Sequence, residues 1–240
     1  MELNKIYNED CLEGMKRIPD KSVDMILCDL PYGTTRNKWD SIIPLDLLWE
    51  QYNRIIKDNG AIVLTAQTPF DKVLGVSNLK YLRYEWIWQK DNASNFLNAR
   101  RNPMKVHENI LIFYRKMPKY QPQMREGYEP YQSARSTKRV DTYMNNYDTT
   151  YVSRSSGKRF PISVLPFNSE RGLHPTQKPV ALFEYLIKTY TIEGENVLDN
   201  CMGSGTTAIA CINTNRNFIG FELDKNYFDI ANERIQKAAT

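Results

Sequence analysis

The chain has 240 residues and a formal net charge of +4, with 41% hydrophobic and 25% charged side chains. That length fits one large domain or one domain with a sizeable insertion, and the composition excludes disordered and fibrous classes. The sequence has no apolar run of the roughly 18 residues that a membrane span needs and opens on MELNKIYNEDCLEG without an apolar signal core, so a cytoplasmic, reduced setting is expected.

In chain order, residues 23–28 (VDMILC) read as a buried strand that stops at Asp29 and Pro31. Residues 44–58 follow as a helix, with Pro44 at its start, Leu47, Leu48, Tyr52, Ile55 and Ile56 at helical spacing, and Gly60 just past its end. Residues 61–66 form a second apolar strand, and 83–89 and 109–115 two more. Alternating strands and helices predict a mostly parallel sheet covered on both faces.

The character changes over residues 115–172. This stretch holds eleven Lys/Arg against five Asp/Glu, a net +6, with six tyrosines and little apolar periodicity. It reads as a loop-rich basic insertion, and the rest of the chain sums to −2. Beyond it, Val180, Phe183, Leu186, Ile187 and Tyr190 form a helical stripe. A strand at 197–198, a helix at 206–214, a strand at 218–221 and a helix at 225–238 complete the chain. The organisation expected is 1–114 and 173–240 as two halves of one domain, with 115–172 inserted between them.

Residues 197–207 read VLDNCMGSGTT. A strand ends at Asp199, a turn carries Gly203 and Gly205, and Ser204, Thr206 and Thr207 stand ready to cap a helix. The next strand ends at Glu222, an acidic residue placed to hold ribose hydroxyls. No full GxGxxG and no GK[ST] is present, which points to a ligand with a ribose but no phosphate chain. Cys11, Cys28, Cys201 and Cys211 have no CxxC spacing and the only histidines are His107 and His174, so no metal site is expected and both histidines are read as structural.

At the end of the first strand stand Asp29, Leu30, Pro31 and Tyr32. The Asp29 carboxylate and the Leu30 carbonyl are two acceptors, and Tyr32 is a flat stacking face. This set suits the exocyclic amine of a nucleobase, whose lone pair is tied up in the ring. Hydrogen bonds from both its protons favour the nucleophilic form as a transition state develops.

Here the sequence resembles a known family. Asp29–Tyr32 is similar to the D-P-P-Y motif of amino-group DNA methyltransferases, and VLDNCMGSGTT to their S-adenosylmethionine loop. His174-Pro175-Thr176-Gln177-Lys178-Pro179 resembles the segment preceding that loop, and Asn8-Glu9-Asp10-Cys11-Leu12 a stretch near the family's start. The order of motifs is that of the β class. The resemblance implies an α/β, Rossmann-like, seven-stranded methyltransferase sheet. It also implies methyl transfer from S-adenosylmethionine to adenine N6 in double-stranded DNA, with the base flipped out and stacked on Tyr32. It places Asp10, Cys11, Asp29, Lys178, Asp199, Cys201, Gly203, Gly205, Thr206, Thr207 and Glu222 at the cofactor, with Lys178 near the methionine carboxylate. The basic insertion becomes the target-recognition region, with Arg100, Arg101, Lys138 and Arg139 as phosphate contacts. A homodimer is compatible with the family, as is association with the nucleoid when bound to DNA.

The departures are Leu30 for the usual first proline, and Asn200 and Cys201 for Pro and Phe. A leucine still supplies the carbonyl. Cytosine N4 methylation is the nearest alternative, and a DNA-binding relative without catalysis is another. The basic insertion argues against a protein-amide substrate.

Overall fold

The computed structural model describes residues 1–33, 41–137, 149–170, 172 and 177–238. In chain order the elements are β1 (Lys5–Tyr7), α1 (Cys11–Met15), β2 (Val23–Asp29), α2 (Leu45–Ile55), β3 (Ile56–Ala66), α3 (Phe70–Ser77), β4 (Leu82–Ser94), a 3-10 turn (Phe96–Asn98), β5 (Lys105–Phe113), β6 (Tyr131–Thr137), β7 (Thr149–Ser155), β8 (Val164–Pro166), α4 (Val180–Tyr190), β9 (Asn196–Asp199), α5 (Thr206–Asn213), β10 (Asn217–Phe221) and α6 (Lys225–Ala238).

One sheet runs β1-β10-β9-β2-β3-β5-β4-β8. The ladders from β1 through β3 are parallel, β5 is antiparallel to both its neighbours, and β8 is parallel to β4. The mostly parallel α/β expectation holds, but the described sheet has eight strands where seven were expected. The extra edge strand, β8, comes from inside the segment read as loop.

The central strands are apolar on both faces, as burial under two helix layers requires. In β2, Met25 and Leu27 enter one core with α4 and α5, while Ile26 and Cys28 enter the other with α1, α2 and α3. Ile110 and Ile112 against Leu111 and Phe113 repeat that alternation in β5.

Three sequence expectations need correction here. The helix predicted over 44–58 ends at Ile55, because Ile56 already pairs with Val23 in the sheet. Gly60 is therefore no helix cap. It lies inside β3, where a Cβ would come within 2.8 Å of the Asp24 carbonyl. The insertion predicted as loop contains an antiparallel ladder, β6 with β7, running from Tyr131 opposite Ser155 to Thr137 opposite Thr149. Its strands (YQSARST and TTYVSRS) carry no alternating apolar face, so periodicity could not reveal them.

The described chain divides into two compact units, Met1–Gln121 with Ser163–Thr240, and Pro122–Ile162. The second lies inside the 115–172 segment and is shorter than it. Arg115 donates to the Asn53 carbonyl, Gln121 to the Thr191 carbonyl, and β8 joins the main sheet, so both flanks belong to the larger unit. Within the smaller unit, Arg159 lies over the rings of Tyr128 (5.2 Å) and Tyr131 (4.7 Å).

Candidate active site

The parallel strands end on one edge of the sheet, and five of those ends carry the residues of interest. β1 leads into Asn8–Cys11, β10 into Glu222, β9 ends on Asp199, β2 on Asp29, and β3 leads into Gln67. Ligands bind at such carboxyl edges where the strand order reverses, here beside β2. A cavity of about 620 Å³ lies there, within the range of small-molecule sites. Its walls include Asp10, Cys11, Asp29, Leu30, Pro31, Tyr32, Lys178, Asp199, Cys201, Gly203, Thr206 and Glu222. Two segments nearly 200 residues apart in sequence thus form one site.

At the β9 end, Asp199 is buried and accepts from the Cys201 N–H (3.0 Å) and from the Thr207 hydroxyl. Burial pushes its carboxyl up to about 6. The loop then turns through Gly203 (φ 54°) and Gly205 (φ 85°), a region that disfavours any residue with a Cβ. Gly205 also sits against Ala231, 3.1 Å from where a Cβ would be, so α6 presses on the loop. Beside Gly203, among the described residues other than its chain neighbours, no atom lies within 4 Å of that position. The Gly203 N–H donates to Glu222 Oε2 (2.7 Å) and the Asp224 N–H to Oε1 (2.8 Å), which fixes the carboxylate at the cavity wall. Burial raises the Glu222 carboxyl.

The expected helix caps are not formed. Gly205 is the N-cap of α5 and accepts through no side chain, while Thr207 turns back to Asp199 and Thr206 to the Lys178 carbonyl (3.4 Å). Gly205 and Thr207 support the loop and are not among the residues that line the cavity. Asp10 serves as N-cap of α1, accepting from the N–H groups of Leu12 (2.8 Å) and Glu13 (3.2 Å).

At the β2 end, the Thr65 hydroxyl (2.5 Å) and the Tyr32 hydroxyl (2.6 Å) both donate to Asp29 Oδ1. Lys178 Nζ donates to Oδ2 at 2.5 Å. The Tyr32 ring stacks on Phe70 with centroids 5.4 Å apart. Burial and the Asp29 charge hold the Tyr32 phenol well above its usual range, so it stays a neutral donor. Leu30 has its side chain in the core, which leaves its main chain as what the position offers the cavity.

Lys178 is almost completely buried, just ahead of α4, and also lies 3.3 Å from Glu108 Oε2. Glu108 in turn pairs with Lys90. Burial would depress the Lys178 ammonium, but Asp29 and Glu108 outweigh it and hold it raised; the two lysines hold Glu108 low against its own burial. Lys178 lines the cavity with both of its acidic partners at the Asp29 end.

Sequence reasoning missed Glu108. The signal was a lone acid at the entrance to the apolar strand HENILIF. The residues departing from the family motif also find a reason: Asn200 accepts from the buried Tyr52 hydroxyl of α2, and its Nδ2 lies 3.6 Å from Cys11 Sγ and 3.4 Å from Cys201 Sγ. His107 is exposed on β5, outside the cavity. Arg100 and Arg101 are exposed beyond β4 and are not among the residues that line the cavity. Lys138, Arg139 and His174 lie outside the described residues. Among the described residues no group of His, Cys, Asp and Glu could hold a metal, and no helix is long and apolar enough to cross a membrane.

A doubly covered α/β sheet with an acidic residue ending each of three neighbouring strands at one cavity is the arrangement of a class I methyltransferase. The profile of the DNA methylase family matches residues 23–233, and the chain belongs to this family of S-adenosylmethionine-dependent amino-group methyltransferases. It is 29% identical over 253 residues to the type II methyltransferase M.BglII of Bacillus subtilis, covering 95% of this chain and 68% of the relative. It is 28% identical to the DNA adenine methyltransferase YhdJ of Escherichia coli K12, covering 99% of this chain and 84% of the relative. The structure of the M1.HpyAVI–SAM complex superposes with a TM-score of 0.65 at 25% identity, over 96% of this chain and 98% of that one. The cytosine-N4-specific PvuII DNA methyltransferase superposes with a TM-score of 0.70 at 14% identity, over 98% and 90%, a likeness of fold.

Proposed function

We propose that this chain methylates the exocyclic N6 amine of an adenine flipped out of duplex DNA at a specific sequence. The observation that carries this reading is the Asp29 carboxylate. Its Oδ1 is saturated by two hydroxyls, while among the described residues Oδ2 accepts from Lys178 alone and keeps a second lone pair for an amine proton. The Leu30 carbonyl would take the other proton, and Tyr32, backed by Phe70, offers the base a stacking face. The alternative of a covalent cysteine intermediate is unsupported, because burial pushes the Cys28 thiol beside Asp29 up to about 12.

The cavity suits S-adenosylmethionine, which when bound supplies an electrophilic methyl group on a sulfonium. The space beside Gly203 is open, Asp199 is a buried carboxylate whose cost a cationic ligand group would offset, and Glu222 is held by two backbone donors for a ribose diol. Asp10, Cys11, Cys201 and Thr206 complete that wall. In-line transfer needs close positioning of amine and methyl, and the clamped Asp29 and Glu222 are placed for that work.

Residues 115–172 would be the target-recognition segment, with its +6 charge and tyrosines, and Arg100, Arg101, Lys138 and Arg139 would contact phosphates. The relatives at 28–29% identity include one named as an adenine enzyme, which supports N6 over N4. The test is transfer of labelled methyl from S-adenosylmethionine to mixed-sequence DNA, followed by nucleoside analysis. N6-methyladenine is expected, N4-methylcytosine would replace the adenine reading, and no label across all short motifs would overturn it. Asp29→Ala should abolish transfer and leave cofactor affinity largely intact.

A further inference from the structure

The hairpin joining β4 and β5 ends in the segment NFLNARRN, residues 95–102. At its tip the Leu97 side chain is 98% exposed and Phe96 74%. Arg100 and Arg101 follow, both exposed, and among the described residues neither has an acidic partner. Two adjacent apolar side chains held out in water next to two free cations are an unusual surface, and nothing in the cofactor site uses them.

The tip is built rather than loose. Asn95 takes the left-handed conformation (φ 70°), and its side chain accepts from Asn98 (2.7 Å) and reaches Asn102 (3.3 Å). The N–H groups of Asn98, Ala99, Arg101 and Asn102 all close onto carbonyls within the turn. Leu97 therefore projects from an ordered platform.

Its place in the sheet gives that projection a meaning. Asp29 pairs across to Thr65, Thr65 to Ile110, and Ile110 to Trp86. From Trp86, β4 runs in the same direction as β2 and continues eight residues further, to Ser94. The hairpin thus overhangs the same edge that carries the catalytic carboxylate. At its base Lys105 Nζ bonds Gln67, a residue of the cavity wall, at 3.0 Å.

We propose that this tip enters the duplex as the target base leaves it, with Leu97, flanked by Phe96, filling the vacated stack and Arg100 and Arg101 holding the adjacent phosphates. The proposal rests on the reading of the chain as a duplex-DNA methyltransferase. A flipped base leaves an apolar gap between its neighbours, and an apolar side chain inserted there resists collapse of the stack. Exposed leucine alone would equally suit a protein partner. The paired arginines and the shared edge with Asp29 select a polyanion whose interior is apolar.

The target site is first read from modified-base sequencing of DNA from cells expressing the protein. Transfer is then measured on two duplexes, one fully paired and one with an abasic site opposite the target base, where opening is already easy. Leu97→Ala and the Phe96→Ala/Leu97→Ala double variant should lose roughly tenfold or more in kcat/KM on the paired duplex and return near the unmodified protein on the abasic one. Leu97→Met should retain the rate. Arg100→Ala/Arg101→Ala should raise KM on both duplexes alike. All variants should keep the melting temperature and cofactor affinity of the unmodified protein, because the side chains are exposed. Equal rates for Leu97→Ala and the unmodified protein on the paired duplex, or equal losses on both duplexes, would overturn the proposal. Absence of transfer by the unmodified protein would instead overturn the reading of function on which it rests.

Discussion

Asp199 is a buried carboxylate at the end of β9, in the cavity wall. Its carboxyl is raised to about 6 in the folded chain, against 3.8 ordinarily, by burial that its hydrogen bonds only partly offset. The sign follows from proton linkage. The folded state binds this proton more tightly, so its ionisation costs nothing below about pH 4, costs progressively more up to about pH 6, and costs roughly 3 kcal/mol above that. Asp199→Asn keeps the shape and can still pair with Thr207 and the Cys201 N–H. The variant should therefore melt higher than the unmodified protein at pH 8, lose that advantage near pH 4, and bind S-adenosylmethionine more weakly. Calorimetry at both pH values and a cofactor titration check this. A variant less stable at pH 8 would show that the carboxylate is stabilising as it stands. Lys178 poses the opposite case, a buried cation between two carboxylates. Removing it takes away the cation that Asp29 and Glu108 share, a loss of about 3 kcal/mol or more. Lys90 remains beside Glu108 and keeps that loss toward the lower figure. Lys178→Ala should show this deficit in denaturant unfolding. Adding Glu108→Gln should recover part of it without restoring transfer, because Asp29 stays unclamped.

At the scale of elements, α1 shows how closely the site depends on packing. A Cβ on Gly14 would lie 2.1 Å from the Phe221 ring, and that ring is fully buried at the end of β10. Gly14→Ala forces α1 away from the sheet, at roughly 1–3 kcal/mol. The helix begins at Cys11, directly after Asp10, and both line the cavity, while Phe221 precedes Glu222. The variant should lose stability and cofactor affinity together, and a melting curve with a titration would show whether it does. Gly14 lies in a stretch that the sequence reading did not assign to a helix. α1 has five residues, too few for an apolar stripe to declare itself, and β1 and β8 have three each. Elements such as β2, α2, β3, α4 and α6 were readable because burial on both faces forces apolar runs and helix packing forces a stripe. The site was readable in the same measure. Asp29, Asp199 and Glu222 each close an apolar strand, so their position follows from local pattern. Glu108 and Thr65 meet Asp29 and Lys178 only through strand pairing between β2, β3 and β5, and no local pattern states which strands pair. Thr207 looked like a helix cap because a threonine after a glycine turn usually is one. The buried Asp199 made the stronger claim on its hydroxyl.

Across the whole molecule, charge is distributed unevenly. A net +6 lies in residues 115–172 and −2 in the rest. The acids of the larger part include those that line the cavity, where a cationic sulfonium ligand is expected, while a polyanion is expected at the basic segment. The global +4 is the sum of a basic segment and a slightly acidic remainder, for which different partners are proposed. This division predicts that the two binding events can be separated by mutation. Lys138 and Arg139 belong to the basic segment, and neither is near the cofactor motifs in sequence. Each phosphate contact releases counterions and contributes about 0.9 to the slope of log affinity against log salt. Lys138→Ala/Arg139→Ala should therefore flatten that slope by about 2 in DNA-binding titrations between low and moderate salt. Affinity should fall most at low salt, where the lost contacts count most, and by a similar factor on target and unrelated sequences, since phosphates carry no sequence information. S-Adenosylmethionine affinity measured on the same preparation should not change. An unaltered salt slope would remove the two residues from the DNA contact. A loss confined to the target sequence would instead mark them as readers of base edges.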